Sequence, residues 1–359
     1  MKIVAGLGSI DEYETFVKAG ADEFFCGYVP FSWAEKYGVI HPLNRREVLF
    51  YNVQIGSMSE LQILKKMVDY YGKPVKLTFN SLYYTGEQYP VIAEIITQCM
   101  AAGFENFIIA DPALMLYLRQ QKINCGIHLS GETAEVNRGM LEQMLPFGIR
   151  RVIFHRKNSL EDMQSCIKFV NDKKINYKCD IKENIEEKYM FPDEYEAFIL
   201  NELCHFSGAF CNSLHCDELT HLCRVPYELG NLHKKEETDA AQKDVAETDR
   251  IQEKEGKGLP LDEDGYLTGS TGCGLCALYR MKQVGITHLK LVGRGNYTDF
   301  MEKDIRQLRK ALDILEKSDN ELQYQRGNES VTFSGWMQSK LLLSVRKEDL
   351  RNIFIYLNR

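Results

Sequence analysis

The run NFIIADPALMLYLRQQKINCGIHLSGETAEVNRGMLEQMLPFGIRRVIFH (106–155) holds three short apolar stretches, NFIIA (106–110), GIHLS (126–130) and RVIFH (151–155). Two amphipathic patterns, 112–121 and 132–146, lie between them. Short apolar runs alternating with helical ones read as buried parallel strands joined by crossover helices. The alternation extends in both directions. Upstream stand KIVAG (2–6), DEFFCG (22–27) and VKLTF (75–79), and downstream EAFIL (196–200) and HLKLV (288–292). Helical patterns at 11–19, 58–71, 87–102 and 159–173 fill gaps between them, and 299–318 reads as a closing helix. Eight strands with intervening helices predict an α/β fold, a closed (β/α)8 TIM-like barrel, with an open doubly wound sheet as the alternative. No strand–GxGxxG–helix unit occurs, which argues against a dinucleotide fold.

Local signals agree with this frame. Ser57 or Ser59 is placed to cap the helix at 58–71, and Ser9 with Glu12 is placed as a capping box. Gly20, Gly72, Gly103 and Gly148 follow helical patterns, where a left-handed C-cap is needed. The regularity breaks over 201–287, a cysteine-rich segment that includes a charged insertion at 233–258. The expected organisation is a barrel over 1–318 and a C-terminal extension, 319–359, packed on it.

The chain of 359 residues is 44% hydrophobic, enough for one large core, and its formal net charge is −7. That acidic balance gives no strong nucleic-acid signal. Its start lacks the length and flanks of a signal peptide, and no run approaches the roughly 20 apolar residues of a membrane span. A soluble cytoplasmic protein with no membrane partner is expected.

Eleven cysteines are many for a reducing compartment, where clustered thiols read as metal-binding or catalytic. Cys99, Cys125, Cys166 and Cys179 are scattered in largely apolar patterns and read as small buried hydrophobes. Cys204, Cys211, Cys216 and Cys223 crowd one short segment, and Cys273 and Cys276 form a CxxC pair beyond it. Four thiolates from separated loops suit an iron–sulfur cluster, and zinc fits the same donors, with His205, His215 and His221 interleaved among them. Spacing leaves the metal open.

In a βα barrel, functional side chains gather at the C-terminal ends of the strands. The strand assignments put Cys26, Tyr28, Asn80, Asp111, His128, Ser130, His155, Arg156, Cys204 and Arg294 at that rim. Cys26 there could serve as a nucleophile or simply pack.

Several stretches together resemble peptidase family U-32, the collagenase-like peptidase family that includes bacterial RNA- and ubiquinone-hydroxylation proteins. The likeness runs through roughly 1–295. It is carried by GSIDEYETFVKAGADEFFCG, LTFNSLYY, IHLSGETAEVN, GIRRVIFHRKNSLEDM, CHFSGAFC, CRVPYE and CGLCALYRMKQVGITHLKLVGRGN. The resemblance implies a 4Fe-4S cluster on Cys204, Cys211, Cys223 and Cys273, with Cys216 and Cys276 as substitutes and zinc as the alternative. It implies an enzyme of oxygen-independent hydroxylation or a related redox step. His128, His155 and Arg156 would be catalytic, and Asn80, Ser130, Lys290 and Arg294 would bind substrate. The alternatives are a collagenase-like peptidase and a non-catalytic iron–sulfur subunit working with a homologous partner chain.

The chain departs from the family pattern at three places. Gly131-Glu132 stands where Thr-Gln usually follows Ser130, Lys157 replaces an acidic residue after Arg156, and Val292 replaces another before Gly293-Arg294. A rim made more positive suits an anionic small molecule or nucleobase.

Overall fold

Branched and aromatic residues crowd the eight runs, and each becomes a parallel strand. In the computed structural model of the chain, residues 1–38, 41–45, 54–180, 191–200, 274–293, 297–328 and 331 are described. The strands are β1 (Lys2–Leu7), β2 (Glu23–Gly27), β3 (Val75–Phe79), β4 (Asn106–Ile109), β5 (Gly126–Leu129), β6 (Ile149–Ile153), β7 (Glu194–Leu200) and β8 (His288–Leu291). They close into one barrel in chain order, and Lys2 pairs with His288 where β1 meets β8. An open doubly wound sheet is therefore excluded.

The helices are α1 (Glu12–Ala19), α2 (Phe31–Tyr37), α3 (Met58–Tyr71), α4 (Gln88–Ala101), α5 (Pro112–Gln120), α6 (Arg138–Met144), α7 (Leu160–Asp180), α8 (Leu278–Val284), α9 (Thr298–Glu316) and α10 (Glu321–Gly327). Ser57 caps α3 in a full capping box with Glu60, and Gly72 ends that helix at φ 68°. A residue with a Cβ would be strained there. Ser9 and Glu12 form no such box. The Glu12 carboxylate accepts the Gly8 amide at 2.7 Å, while Ser9 Oγ accepts the Asp11 amide.

The helix expected at 132–146 is shorter, because its first residues are held as a loop. Thr133 Oγ1 donates to Ala110 O, Asn158 bonds both the amide and the carbonyl of Val136, and only then does Asn137 cap α6. The short helices α2, α8 and α10, of 7 residues each, are not among the expected helical patterns. α10 falls at the start of the stretch expected as a C-terminal extension. It sits on the barrel wall, where the buried Tyr324 donates its hydroxyl to Leu275 O at 2.6 Å.

Strand alternation sorts side chains into two environments. Ile3, Phe24, Leu77, Phe107, Val152 and Leu289 face outward into the main apolar core beneath the helices. Cys26, Cys99, Cys125 and Cys166 belong to that layer too, as packed thiols. Burial pushes the Cys99 thiol up to about 12 and the Cys166 thiol up to about 11, so neither is a thiolate near neutrality. The side chain of Cys179 lies outside the described residues. Facing inward, Val4, Phe25, Ile108 and Ile153 form a separate apolar cluster with Phe198 packed on it. The rest of the interior is polar, and that decides where chemistry can occur.

Candidate functional site

Arg151 is 1% exposed at the centre of a charged network near the N-terminal end of the barrel. Its Nε and Nη2 bond Glu194 at 2.8 and 2.6 Å, Nη1 bonds Glu196 at 2.7 Å, and Nη2 bonds Glu23 at 2.7 Å. His288 Nε2 lies 3.0 Å from Arg151 Nη2 and 3.2 Å from Glu23. Burial alone would raise the pKa of Glu23, but contact with His288 and the charge of Arg151 hold it well below the usual carboxylate range. Glu196 is held low against burial by Lys290 and Arg151.

Lys290, expected to bind substrate, and His128, expected at the rim, belong to this interior. Lys290 is buried, donates to Glu196 at 2.8 Å and stands 3.5 Å from the Phe25 ring centroid. His128 is buried in β5. Burial first, then the charges of Arg151 and Lys76, push its pKa well below that of a free imidazole. The physical reason is parity and depth: both side chains point inward from within their strands, below the strand ends.

Glu23, Glu194 and His288 have the composition of a cation site, but the Arg151 guanidinium already lies between the two carboxylates. Thr287, His288 and Glu23 also mimic a hydrolytic triad, with Thr287 Oγ1 2.7 Å from His288 Nδ1. That hydroxyl is held by the amide and the carbonyl of Tyr195. It therefore has no freedom to attack a substrate. Cys26, fully buried in the outer core, offers no accessible nucleophile either.

The C-terminal mouth is built differently. Phe198 packs on the inner apolar cluster, and the guanidinium of Arg156 stacks on its ring, 4.8 Å from the centroid. Gly131 comes in from the side: a Cβ there would lie 2.8 Å from Phe154 O and 3.0 Å from Phe198 Cε2. Only glycine allows this approach, which explains the residue after Ser130. Ser130 Oγ accepts the Glu132 amide, so its hydroxyl shapes the turn. Glu132 then reaches two arginines, Arg156 Nη1 at 3.1 Å and Arg45 Nε at 3.1 Å. Asn80 Oδ1 accepts the Arg45 amide at 3.2 Å and so anchors the segment that carries this arginine. The rim is thus less positive than the sequence suggested, because Glu132 offsets part of its charge.

His155 is 1% exposed. Asn158 Oδ1 accepts its amide at 3.1 Å, and its Nδ1 accepts the Lys157 amide at 3.2 Å. Its Nε2, and the Nε of Arg156, are buried without a hydrogen-bond partner among the described residues. Leaving such a donor unsatisfied costs about 1–3 kcal/mol.

Cys204, Cys211, Cys216, Cys223 and Cys273 lie outside the described residues, as do Arg294 and the histidines at 205, 215 and 221. Cys276 is exposed in a short 3-10 turn, Leu275–Ala277. Gly274, next in sequence to Cys273, donates its amide to Ile199 O at 2.7 Å, near the C-terminal end of β7. A Cβ on Gly274 would lie 2.7 Å from Ile199 Cδ1, so this contact also needs glycine. The chain re-enters the barrel beside the strand it left, on the face that carries the mouth.

Arg45, Glu132, Asn158 and Phe198 were not foreseen as site residues. Glu132 stood out only as a departure from a pattern. The others carry no local motif and come together through loops from different strands.

The chain matches the protein family described as peptidase family U32 over residues 8–340. Among solved structures it is similar to "The Structure of the U32 Peptidase Mk0906", at 10% identity and a TM-score of 0.40, covering 58% of this chain and 73% of that one. No curated protein matches it. No described helix is long and apolar enough to cross a membrane.

Proposed function

Because the chain belongs to peptidase family U32, we propose that it is an iron–sulfur enzyme that modifies an anionic small molecule or nucleobase at the C-terminal mouth of its barrel. Cys204, Cys211, Cys223 and Cys273 would hold the cluster, with Cys276 or Cys216 as a substitute. The observation that supports this most is the bond from Gly274 to Ile199. It fixes one end of the cysteine-bearing segment beside β7, on the same face as His155, Arg156 and Glu132. Four soft thiolate donors suit an iron–sulfur centre. When bound, such a centre supplies electron transfer or a Lewis-acidic iron.

The chain's own residues have separate tasks in this reading. Arg156 and Arg45 attract and orient the anionic group, and Glu132 holds both guanidiniums in place. Phe198 supports the Arg156 guanidinium on its ring. Asn158 ties the loop after β5 to the loop after β6, so the residues on the two move as one unit. Asn80 and Ser130 position neighbours. Lys290, paired with Glu196 in the lower network, braces the site from within, and the buried His128 lies beside it.

The test is anaerobic purification with iron and acid-labile sulfide analysis of the wild type. Single alanine variants at Cys204, Cys211, Cys216, Cys223, Cys273 and Cys276 are measured beside it. Iron and sulfide should be present in the wild type and lost in the four ligand variants. Zinc without sulfide would instead assign the same thiolates to a zinc site. A colourless protein with neither metal would end the proposal.

A further inference from the structure

The last two residues of interest on the β6 unit, His155 and Arg156, each keep one buried nitrogen without a hydrogen-bond partner among the described residues. His155 Nδ1 accepts the Lys157 amide. A neutral imidazole that accepts at Nδ1 carries its proton on Nε2. Burial, opposed by Glu132 and assisted by Arg156, pushes the pKa of His155 down to about 4. At neutral pH the ring is therefore an uncharged donor, and its buried Nε2–H meets no acceptor among the described residues. Arg156 gives Nη1 to Glu132 and lays its plane on Phe198, which leaves a buried Nε–H that also has no acceptor. Native proteins rarely leave such donors unmet unless something else is to meet them.

We propose that His155 Nε2–H and Arg156 Nε–H together bind one oxyanion of the ligand, a carboxylate or a phosphate. The inference rests on the reading of the mouth as the substrate site and deepens it by naming the group recognised there. It also changes the task of His155. With Nδ1 closed by a backbone amide and Nε2 already protonated, the ring donates a hydrogen bond and does not abstract a proton. It acts on the ligand as a neutral electrophile. Glu132 serves as a positioning residue: it pins one edge of Arg156 so that the Nε edge stays turned to the ligand. Two N–H donors, one on a guanidinium, disfavour an ammonium or metal ion at the same point.

The full chain, labelled with 15N-histidine, tests this without any variant. Ring nitrogen spectra should show His155 as the Nε2–H tautomer between about pH 5 and 8. Benzoate or inorganic phosphate should shift that resonance, while benzamide should leave it unmoved. A response to benzoate alone selects a carboxylate, and a response to phosphate alone selects a phosphate. Calorimetric titration of Arg156→Lys, which keeps the charge and removes the Nε–H, should show affinity lower by about ten- to a hundredfold. His155→Gln identifies the resonance, and thermal melts confirm that both variants fold.

The proposal fails if the ring is the Nδ1–H tautomer, or if neither anion shifts it at millimolar concentration. It also fails if Arg156→Lys binds the responding anion within about twofold of the wild type. Iron content is scored separately on the same preparations. An iron-free protein that still binds the anion refutes the cluster and leaves this site standing. An iron-loaded protein that binds neither anion does the reverse.

Discussion

Arg151 and Arg156 stand on the same β6 unit and are used in opposite ways. Arg151 spends its donors on Glu23, Glu194, Glu196 and His288, all inside the barrel. Arg156 meets one carboxylate and one aromatic face, and keeps a donor unbonded. Arg151 is 1% exposed and the Arg156 side chain 14%, a difference too small to account for their opposite use. Completeness of pairing separates them. Every guanidinium nitrogen of Arg151 has an acceptor, whereas Arg156 Nε has none among the described residues. The two arginines share a residue type and differ in how far the fold has satisfied them, although His128 Nδ1 in the lower interior also lacks a partner among the described residues.

The largest effect should come from breaking the brace. Arg151→Met leaves three carboxylates without their shared cation, and removal of one partner from a buried ion pair typically costs about 3–5 kcal/mol. Urea unfolding of the purified variant measures it. A loss below about 1 kcal/mol would mean that the carboxylates find water or protons, and the contrast between the two ends would weaken.

Acid should reach both regions, through one histidine each. His128 and His155 have depressed pKa values in the fold, while a free imidazole titrates near 6.5. Stability is therefore fully present above about pH 6.5 and is lost as pH falls, by about 1.4 kcal/mol per unit for each histidine. Glu23 and Glu196, whose pKa values are also depressed, add a further loss below about pH 4.3. Unfolding free energies measured across this range should fall well before the carboxylates titrate. His155→Gln should halve the slope above about pH 5, which divides it between the mouth and the interior.

The smallest effect sharpens the comparison from the other side. Lys2 also pairs with Glu23, at 3.2 Å, but its side chain is 55% exposed. Lys2→Met should cost less than about 1 kcal/mol in the same urea assay, although it acts on the same carboxylate as Arg151. An equal cost for the two variants would overturn the view that completeness inside the barrel, and not charge alone, gives the network its weight.

The barrel was readable because its strands announce themselves twice, by apolar runs and by the helical patterns between them. VKLTF and the helix at 58–71 are found at those boundaries. Interior charge was not readable. DEFFCG reads as an apolar strand with a polar start, and nothing local says that Glu23 turns inward to a guanidinium 128 residues away. Strand parity places His128 and Lys290 on the inner face, but depth along the barrel depends on the stagger of neighbouring strands, which a single sequence does not display. The placement of His155, Arg156, Asn80 and Ser130 at the mouth was legible because they stand just past strand ends. Glu132 was visible only as an odd residue, and its meaning needed Arg45, delivered by the segment after α2. The cysteines carry the strongest sequence signal, and the described residues meet it only at Gly274 and Cys276.

Closure of the ring has a consequence for how the chain is born. β8 completes the barrel by joining β1, and it brings His288 to Glu23 across 265 residues. On the ribosome, seven strands emerge before it, and the whole cysteine-bearing segment is made before the last strand exists. Until then Glu196 lacks Lys290, and the sheet keeps two open edges. Contacts so distant in sequence slow folding, although loop entropy grows only slowly with length. The nascent protein should therefore wait as an unsealed sheet, prone to pair with its neighbours, and become a barrel in a single late step.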